Sequence, residues 1–292
     1  MENKLNLPLK KKKNEAESPR LDPLMRALKA LHSAGAPETM TEEELEHQRR
    51  SQEVLGRLTA PMAGMDYEEF SLGGMNAAWM RLKAPHGSRH AILYCHGGGY
   101  TSGNLGYARV LASKLAHVTG YDVLSFEYRL APEHPYPAAV EDALRAWDHL
   151  MLLGYGARDV VLAGDSAGGN LAAAVSLMAR DRGEFLPAKQ ILIYPATAAD
   201  HSETSPFPSV RENGTDYLLT SKRVCDFMDL YRSSEEDLHN PYFAPLEAKD
   251  FRNQPDTLII TAEYCPLRDE AEEYGHRLMK AGNRVMIRRI PD

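Results

Sequence analysis

The sequence has few cysteines, no long apolar run and no excess of positive charge. Its three cysteines, Cys95, Cys225 and Cys265, form no CxxC pair, so neither a disulfide framework nor a structural zinc site is predicted. No window approaches the roughly 18 uninterrupted apolar residues of a membrane-spanning helix. The 34 Lys+Arg against 41 Asp+Glu give a net charge of −7, which disfavours nucleic-acid binding. These absences, with no secretory signal at the start, predict a cytoplasmic protein without a membrane span.

The first 60 residues differ in composition from the rest of the chain. Residues 1–20 are polar and are predicted to form a loose tail. Residues 21–60 are predicted to form a helical cap segment with two amphipathic helices. The first covers Leu24–Leu31, and the second begins near Thr41, where Thr-Glu-Glu-Glu is typical of a capping box. A β-hairpin centred on Gly73–Gly74 follows.

Beyond residue 90, short apolar runs alternate with helical stretches. This alternation predicts an α/β fold, a mostly parallel sheet of strands buried on both faces, with helices on either side. Residues 61–292 are predicted to form this one domain, and the long connection near 196–250 is predicted to be an excursion of the cap. The predicted strands are Ala91–Cys95, Asp122–Tyr128, Val160–Ala163, Gln190–Tyr194, Thr257–Thr261 and Val285–Arg288, and the predicted helices lie near 105–118, 138–153, 168–182, 221–232 and 268–281.

The segment Val160–Leu171 is predicted to form a strand, a sharp turn and a helix. Its centre is G-x-S-x-G, with Ser166 between Gly164 and Gly168. A nucleophile on such a strained turn is held out at the carboxyl edge of the sheet, and the glycines let strand and helix pass closely. The following helix points its N-terminus at the same place, so the backbone N–H of Ala167 is a candidate oxyanion donor. A glycine-rich helix entry without chemistry is the alternative interpretation.

Three consecutive glycines, Gly97–Gly99, follow His96 at the end of the first sheet strand. Such a run costs backbone entropy, and it is typical of a loop whose bare N–H groups approach a ligand oxygen. A phosphate-binding loop is disfavoured, because neither G-x-G-x-x-G nor Gly-Lys-Ser/Thr is present. His96 precedes the glycines at the strand end, so we interpret it as structural and not as a base.

A third segment, Tyr128–Asp142, carries three prolines within six residues, which predicts a rigid loop. Together, the H-G-G-G loop, the G-D-S-A-G-G-N turn and this Y-R-L-A-P-E-x-P-x-P-A-A loop resemble the bacterial hormone-sensitive-lipase-like esterases of the α/β-hydrolase fold, acetyl esterases included. The resemblance extends from about residue 35 to residue 292.

The resemblance implies hydrolysis of short-chain carboxylic esters through an acyl-serine, with a small-molecule ester as the partner and neither metal nor cofactor. It implies that Ser166 is the nucleophile. It also implies that the oxyanion donors are the backbone N–H groups of Gly98, Gly99 and Ala167. The helices before residue 60 correspond to the cap over the acyl pocket.

The sequence departs from the family at the catalytic acid. A serine nucleophile needs a base, and the base needs an orienting carboxylate, in the chain order Ser, acid, His. The resemblance places the acid at the first position of C-P-L-R-D-E, which is Cys265. A neutral thiol accepts a hydrogen bond weakly and gives no charge to stabilise an imidazolium. Asp269, one helical turn later, is a substitute acid, although a structural bond or a helix N-terminal charge is the favoured interpretation.

The sequence also has no histidine where the resemblance places the base, which is a loop after the eighth strand and just beyond the stretch Ile290-Pro291-Asp292. His276 is predicted to lie on a helix surface, and His134 and His201 precede the acid position. A shortened piece of an active esterase, a non-catalytic small-molecule-binding homologue and a replacement base stay open. We favour the first, because Ser166 and the glycines are intact. We expect this chain to hydrolyse esters weakly or not at all, since loss of relay residues costs roughly 10⁴ to 10⁶ in rate.

The sequence does not determine which ester is the substrate. The strand Val285–Arg288 is predicted to expose a sheet edge, and an unpaired edge invites pairing with a second chain. A homodimer is therefore a further expectation.

Overall fold

The computed structural model describes residues 40–84, 89–215 and 217–291. The predicted tail of residues 1–20 and the predicted helix Leu24–Leu31 lie outside the described residues.

All described residues belong to one compact unit, Pro37–Asp292, and every element below is part of it. The boundary predicted between residues 60 and 61 stays a prediction.

A helix and a hairpin precede the central sheet. Helix α1 spans Glu42–Leu58 and begins with the predicted capping box. The Thr41 hydroxyl accepts the Glu44 N–H at 3.2 Å, and the Glu44 carboxylate accepts the Thr41 N–H at 3.4 Å. Strands β1 (Met65–Leu72) and β2 (Met75–Leu82) then pair antiparallel across a two-glycine turn, as predicted.

Six further strands follow the hairpin: β3 Ala91–Cys95, β4 Asp122–Phe126, β5 Val160–Asp165, β6 Lys189–Ile193, β7 Asp256–Ala262 and β8 Val285–Ile290. With the hairpin they form one eight-stranded sheet in the order β1-β2-β4-β3-β5-β6-β7-β8. Strands β3 to β8 run parallel to one another, and the β1–β2 hairpin joins them antiparallel through the pair of β2 and β4. This confirms the predicted fold class.

Helices cover both faces of the sheet. The helices after α1 are α2 Leu105–Thr119, α3 Ala138–Leu152, α4 Ala167–Asp181, α5 Pro208–Glu212, α6 Ser221–Tyr231 and α7 Arg268–Lys280. Along β3, Ile92 and Tyr94 belong to a buried cluster with α2, whereas Leu93 and Cys95 belong to the larger cluster with α3, α4 and α7. Among the described residues, none of the helices has the length and apolar character that a membrane span requires.

The last strand corrects the prediction that all six apolar runs are buried on both faces. In β8 only Val285 and Ile287 are half-buried and the other four residues are exposed, with Met286 and Ile290 each 54% exposed. The reason is that β8 pairs with β7 on one side only within the described residues. Helix α7 covers one face of β8, where Ile287 lies against Gly275. The homodimer stays a prediction.

Candidate active site

Ser166 occupies the turn between β5 and α4. Its φ of 54° and ψ of −120° lie in a region that residues with a side chain rarely adopt. Such a conformation costs on the order of 1–3 kcal/mol and persists only when its surroundings hold it. The Ser166 N–H donates to the Ile193 carbonyl at the end of β6, at 2.9 Å. This is the sharp strand-to-helix turn that the G-x-S-x-G pattern predicts.

The two flanking glycines bring this turn against the end of β3. A Cβ on Gly164 would lie 2.1 Å from the carbonyl oxygen of Gly168. A Cβ on Gly168 would lie 2.0 Å from the carbonyl oxygen of Cys95. Both obstacles are backbone atoms, which cannot swing aside, so only glycine fits. The close approach places Ser166 beside the H-G-G-G loop that follows Cys95.

Asp165, directly before Ser166, fastens the serine turn to the glycine loop. Its carboxylate is 2% exposed and accepts the Gly97 N–H at 3.0 Å. It also accepts the hydroxyls of Tyr94 at 2.6 Å and Tyr107 at 3.0 Å. Burial and then the Asp165 charge raise the pKa of both tyrosines, so these hydroxyls stay protonated donors. Sequence reasoning missed this role, although a buried acid at the end of an apolar strand signals a need for donors.

Each carbonyl of the loop from His96 to Gly98 is held by a neighbouring group. The Tyr128 hydroxyl donates to the His96 carbonyl at 2.9 Å, and His96 Nδ1 lies 2.8 Å from the Gly97 carbonyl. The Gly98 carbonyl accepts the Ser102 N–H at 3.1 Å and the Ser102 hydroxyl at 3.0 Å. A trans peptide directs its C=O and N–H oppositely. Fixing these carbonyls therefore fixes the direction of the next N–H groups.

The N–H groups of Gly98, Gly99 and Ala167 stay unpaired in the part of the chain that the structure describes. The Ser166 carbonyl accepts the Asn170 N–H at 3.2 Å, so the Ala167 N–H of the same peptide is directed the other way. Gly98 and Gly99 have φ of 121° and 60°, which suits residues without a Cβ. Gly99 and Ala167 are buried and Gly98 is half-buried, and unpaired N–H groups at buried positions are rare in proteins. These three N–H groups are the donors that the resemblance implied.

His96 has the properties of a structural residue. Its ring is buried and stacks on Tyr128 with ring centroids 4.3 Å apart. Because the Gly97 carbonyl can only accept, Nδ1 carries the proton of the hydrogen bond. Burial lowers the pKa of His96, so the ring is neutral near pH 7. These contacts support the structural interpretation.

Cys265 lies in the turn between β7 and α7. Its N–H donates to the Ala262 carbonyl at 3.2 Å, and its carbonyl accepts the Arg268 N–H at 3.1 Å. Burial raises the pKa of the Cys265 thiol to about 11. The thiol is therefore neutral near pH 7, and the position at which the resemblance places the acid carries no charge.

Asp269 joins α5 to α7. One carboxylate oxygen accepts the Ser209 N–H at 2.8 Å, the other accepts Arg268 Nε at 2.7 Å, and the Asp269 N–H donates to the Ser209 hydroxyl at 3.1 Å. Burial alone would raise the pKa of Asp269, but the hydrogen bonds from Arg268 and Ser209 outweigh this effect and lower the pKa. With both oxygens engaged, the contacts favour the structural interpretation over that of a substitute acid.

No histidine hydrogen-bonds to Ser166 within the described ranges. His276 is exposed on α7, and His134 is exposed in the proline-rich loop. His201 is buried, and its Nε2 lies 2.8 Å from a carboxylate oxygen of Glu270. The same described residues contain no group of three His, Cys, Asp or Glu side chains that could hold a metal ion.

Helix α6, within the long connection between β6 and β7, brings Phe227 onto the glycine loop. A Cβ on Gly99 would lie 2.5 Å from the Phe227 ring, so the ring covers the backbone beside the unpaired donors. The other end of α6 is anchored in the core. The Tyr231 carbonyl accepts the Tyr136 N–H at 2.6 Å, and the Tyr231 ring stacks on Tyr100 with centroids 3.8 Å apart.

Arg49 ties α1 to the segment that follows the glycine loop. Its Nε donates to the Thr101 carbonyl at 2.7 Å, and one terminal nitrogen donates to the Ala131 carbonyl at 2.8 Å. The two terminal nitrogens also donate to the Glu133 carboxylate at 2.6 and 2.8 Å. The sequence carries no signal for this contact, because its partners lie 52 to 84 residues away.

The parallel sheet and the strained serine turn after its strand β5 define an α/β hydrolase. The chain belongs to this family, since the family profile described as "alpha/beta hydrolase fold" matches residues 92–292.

Within the family, the chain is similar to esterases. Esterase LipI of Mycobacterium tuberculosis is 41% identical over 204 residues, which cover 67% of this chain and 62% of LipI. Acetyl-hydrolase of Streptomyces hygroscopicus is 33% identical over 250 residues, which cover 83% of this chain and 78% of that protein. The crystal structure of an esterase from the bacterial hormone-sensitive lipase family aligns with a TM-score of 0.81 at 28% identity, over 94% of this chain and 89% of that one.

These similarities confirm the resemblance that the motifs indicated. The chain spans about three fifths of the length of the first curated relatives, 62% in the case of LipI.

Proposed function

We propose that the protein is a carboxylic ester hydrolase with Ser166 as its nucleophile. The observation that carries this proposal is a serine at a costly backbone angle, φ 54°, beside a loop with unpaired N–H groups. Acyl transfer needs both features, an exposed nucleophile and donors for a developing oxyanion. The names of the two relatives, an esterase and an acetyl-hydrolase, support a small ester with a short acyl group as the substrate.

In the proposed reaction, the Ser166 hydroxyl oxygen attacks the ester carbonyl. As negative charge develops on the carbonyl oxygen, the N–H groups of Gly98, Gly99 and Ala167 donate hydrogen bonds to it. The bond between the carbonyl carbon and the alcohol oxygen then breaks, and the alcohol leaves with the proton that the Ser166 hydroxyl loses. Water next hydrolyses the acyl-serine, which releases the carboxylic acid and restores the Ser166 hydroxyl. The carbonyl contacts that fix these donors before substrate binds spare the reaction the cost of orienting them.

We also propose that the 292-residue chain performs this reaction slowly. The Cys265 thiol is neutral, and no histidine in the described ranges contacts Ser166, so the serine proton has no fixed acceptor. The expected deficit against a complete relay is about 10⁴ to 10⁶ in rate. Location in the cytoplasm stays a prediction.

The neutral thiol at the acid position also favours a second candidate, a non-catalytic homologue that binds a small molecule in the former acyl pocket. Such a protein would be stabilised by its ligand without releasing an acid.

Hydrolysis of p-nitrophenyl acetate, with and without added imidazole, tests the proposed function. Imidazole can enter the site and act as the missing base. We expect the unsubstituted chain to hydrolyse the ester slowly. Added imidazole should increase its rate by a factor at least tenfold larger than the factor for Ser166→Ala. The Ser166→Ala variant serves as the control for the direct reaction of imidazole with the ester in solution. Equal rates in the two proteins, with and without imidazole, would refute Ser166 as the nucleophile and favour the binding protein.

A further inference from the structure

Helix α1 contacts the segment that follows the three glycines through two adjacent side chains. Gln48 Nε2 donates to the Ser102 hydroxyl oxygen at 2.9 Å, and Arg49 Nε donates to the Thr101 carbonyl at 2.7 Å. Gln48 is half-buried, whereas Thr101 and Ser102 are fully buried. Water cannot easily replace a hydrogen bond with a buried end, so both contacts fix the position of this segment.

The Gln48 contact continues to the glycine loop through Ser102. A serine hydroxyl has one proton to donate and two lone pairs that accept. Because Gln48 donates to the Ser102 oxygen, the Ser102 proton is left for the Gly98 carbonyl, whose oxygen lies 3.0 Å away. Successive hydrogen bonds of this kind polarise and strengthen one another. The Gly98 C=O and the Gly99 N–H belong to one trans peptide, so the group that holds the carbonyl also directs the N–H.

The other donors to the Gly98 carbonyl belong to the same turn of the chain. They are the N–H groups of Thr101 at 3.2 Å and Ser102 at 3.1 Å, and the Thr101 hydroxyl at 3.4 Å. These donors give the turn its shape, but they move with it. They therefore do not fix the direction of the carbonyl relative to the rest of the protein.

Contacts from other parts of the chain fix the turn in place. Asp165 holds its start through the Gly97 N–H at 3.0 Å, and the Ala131 N–H donates to the Tyr100 carbonyl at 2.9 Å. Helix α1 adds the two contacts described above. Of these outside contacts, the one from Gln48 leads through a side-chain hydroxyl to the Gly98 carbonyl itself.

We propose that Gln48 is a positioning residue for the Gly99 N–H and that it acts through the Ser102 hydroxyl. The inference rests on the proposed function, in which this N–H donates to the developing oxyanion. A donor is most effective when it already points to the place where the charge forms. Helix α1, which the resemblance assigns to the cap over the acyl pocket, therefore also holds an oxyanion donor in its direction.

Replacing Gln48 with methionine removes the donor and keeps nearly the same side-chain length. Gln52→Met is the matched control, because the side-chain oxygen of Gln52, one turn later on α1, has no hydrogen-bond partner among the described residues. The rate to compare is the imidazole-rescued, Ser166-dependent hydrolysis of p-nitrophenyl acetate. Complete loss of an oxyanion donor costs about 10²–10³ in kcat, so a donor that is only less well directed should cost about tenfold. KM should stay unchanged, since the oxyanion is absent from the bound ester.

A double-mutant cycle with Ser102→Ala tests whether the effect passes through the hydroxyl. Gln48→Met should lower kcat in the unsubstituted chain and have no further effect in Ser102→Ala, because the connection to the Gly98 carbonyl is already broken. Additive losses would overturn the proposal, and so would a kcat of Gln48→Met within twofold of the Gln52→Met control.

The amide resonance of Gly99 tests the proposal without ester hydrolysis. In a ¹H–¹⁵N spectrum of the full chain, this resonance should shift in Gln48→Met and in Ser102→Ala and should stay in place in Gln52→Met. An unchanged resonance in Gln48→Met would overturn the proposal. Equal hydrolysis by the unsubstituted chain and Ser166→Ala would instead refute the proposed function, and the Gly99 resonance would still decide whether Gln48 directs this N–H.

Discussion

Replacing Arg49 with methionine removes the guanidinium that joins α1 to the segment after the glycine loop. Two backbone carbonyls, those of Thr101 and Ala131, lose a charged donor. Hydrogen bonds to charged groups contribute about 1.5–3 kcal/mol each. The bidentate pair with Glu133 adds at most about 1 kcal/mol, because that side chain is 54% exposed and screened by solvent. We therefore expect the free energy of unfolding to fall by about 3 kcal/mol.

The assay is urea unfolding at pH 7, with Arg57→Met as the matched control on the same helix. Arg57 pairs with Glu53, but the two side chains are 76% and 53% exposed, so its loss should cost less than about 0.5 kcal/mol. The midpoint of Arg49→Met should fall with an unchanged denaturant slope. Equal midpoints for the two variants would refute the argument that the backbone contacts of Arg49 hold α1 in place.

The ion pair between Arg49 and Glu133 also predicts that the free energy of unfolding depends on pH. The hydrogen bond from Arg49 lowers the pKa of Glu133 to about 2, below the ordinary value of 4.5. A carboxyl group whose folded-state pKa is lowered stabilises the protein above its unfolded pKa, and this contribution is lost as the pH falls through the folded one. The stability difference between the unsubstituted chain and Glu133→Gln should therefore shrink between pH 4.5 and pH 2. A difference that is constant over this range would contradict the ion pair.

Three further substitutions test the candidate site. Gly168→Ala should destabilise the fold by about 3 kcal/mol or more in urea, because its Cβ would lie 2.0 Å from the Cys95 carbonyl, and unchanged stability would disprove the close packing. Cys265→Asp should increase imidazole-rescued, Ser166-dependent hydrolysis at least tenfold, since it restores a charge beside the base, and no increase would count against this acid position. Asp269→Asn should cost about 1–2 kcal/mol of stability and leave Ser166-dependent hydrolysis within twofold, whereas a tenfold loss of rate would identify Asp269 as the substitute acid.

The sequence predicts the order of strands and helices because buried strands and amphipathic helices have different hydrophobic periods. One error lies at the end of an element and another in the burial of a strand. Tyr128 was predicted to continue β4, but the strand ends at Phe126, and the Tyr128 hydroxyl instead supports the His96 carbonyl. The apolar run Val285–Arg288 predicts a buried strand. The sequence does not show that this strand lies at an edge of the sheet, where β7 is its only neighbour among the described strands.

The positions of the strained Ser166 turn and of the glycine loop could be predicted, because each is a contiguous motif that follows a strand. The contacts that hold them could not. Asp165 binds Gly97 across 68 residues, and His201 meets Glu270 across a similar separation, so no local pattern records either pair. The neutral state of Cys265 was also beyond the sequence, since it depends on burial.

The groups that support Ser166 and the glycine loop are distinct from the groups that would relay its proton. Asp165, Tyr128 and Ser102 hold the backbone, while the acid position holds only a neutral thiol. In the proposed reaction, the fold and the proton relay therefore depend on separate residues. We expect mutations at Cys265 to change the turnover with little change in stability, so natural selection could adjust the rate of the reaction while the architecture stays the same.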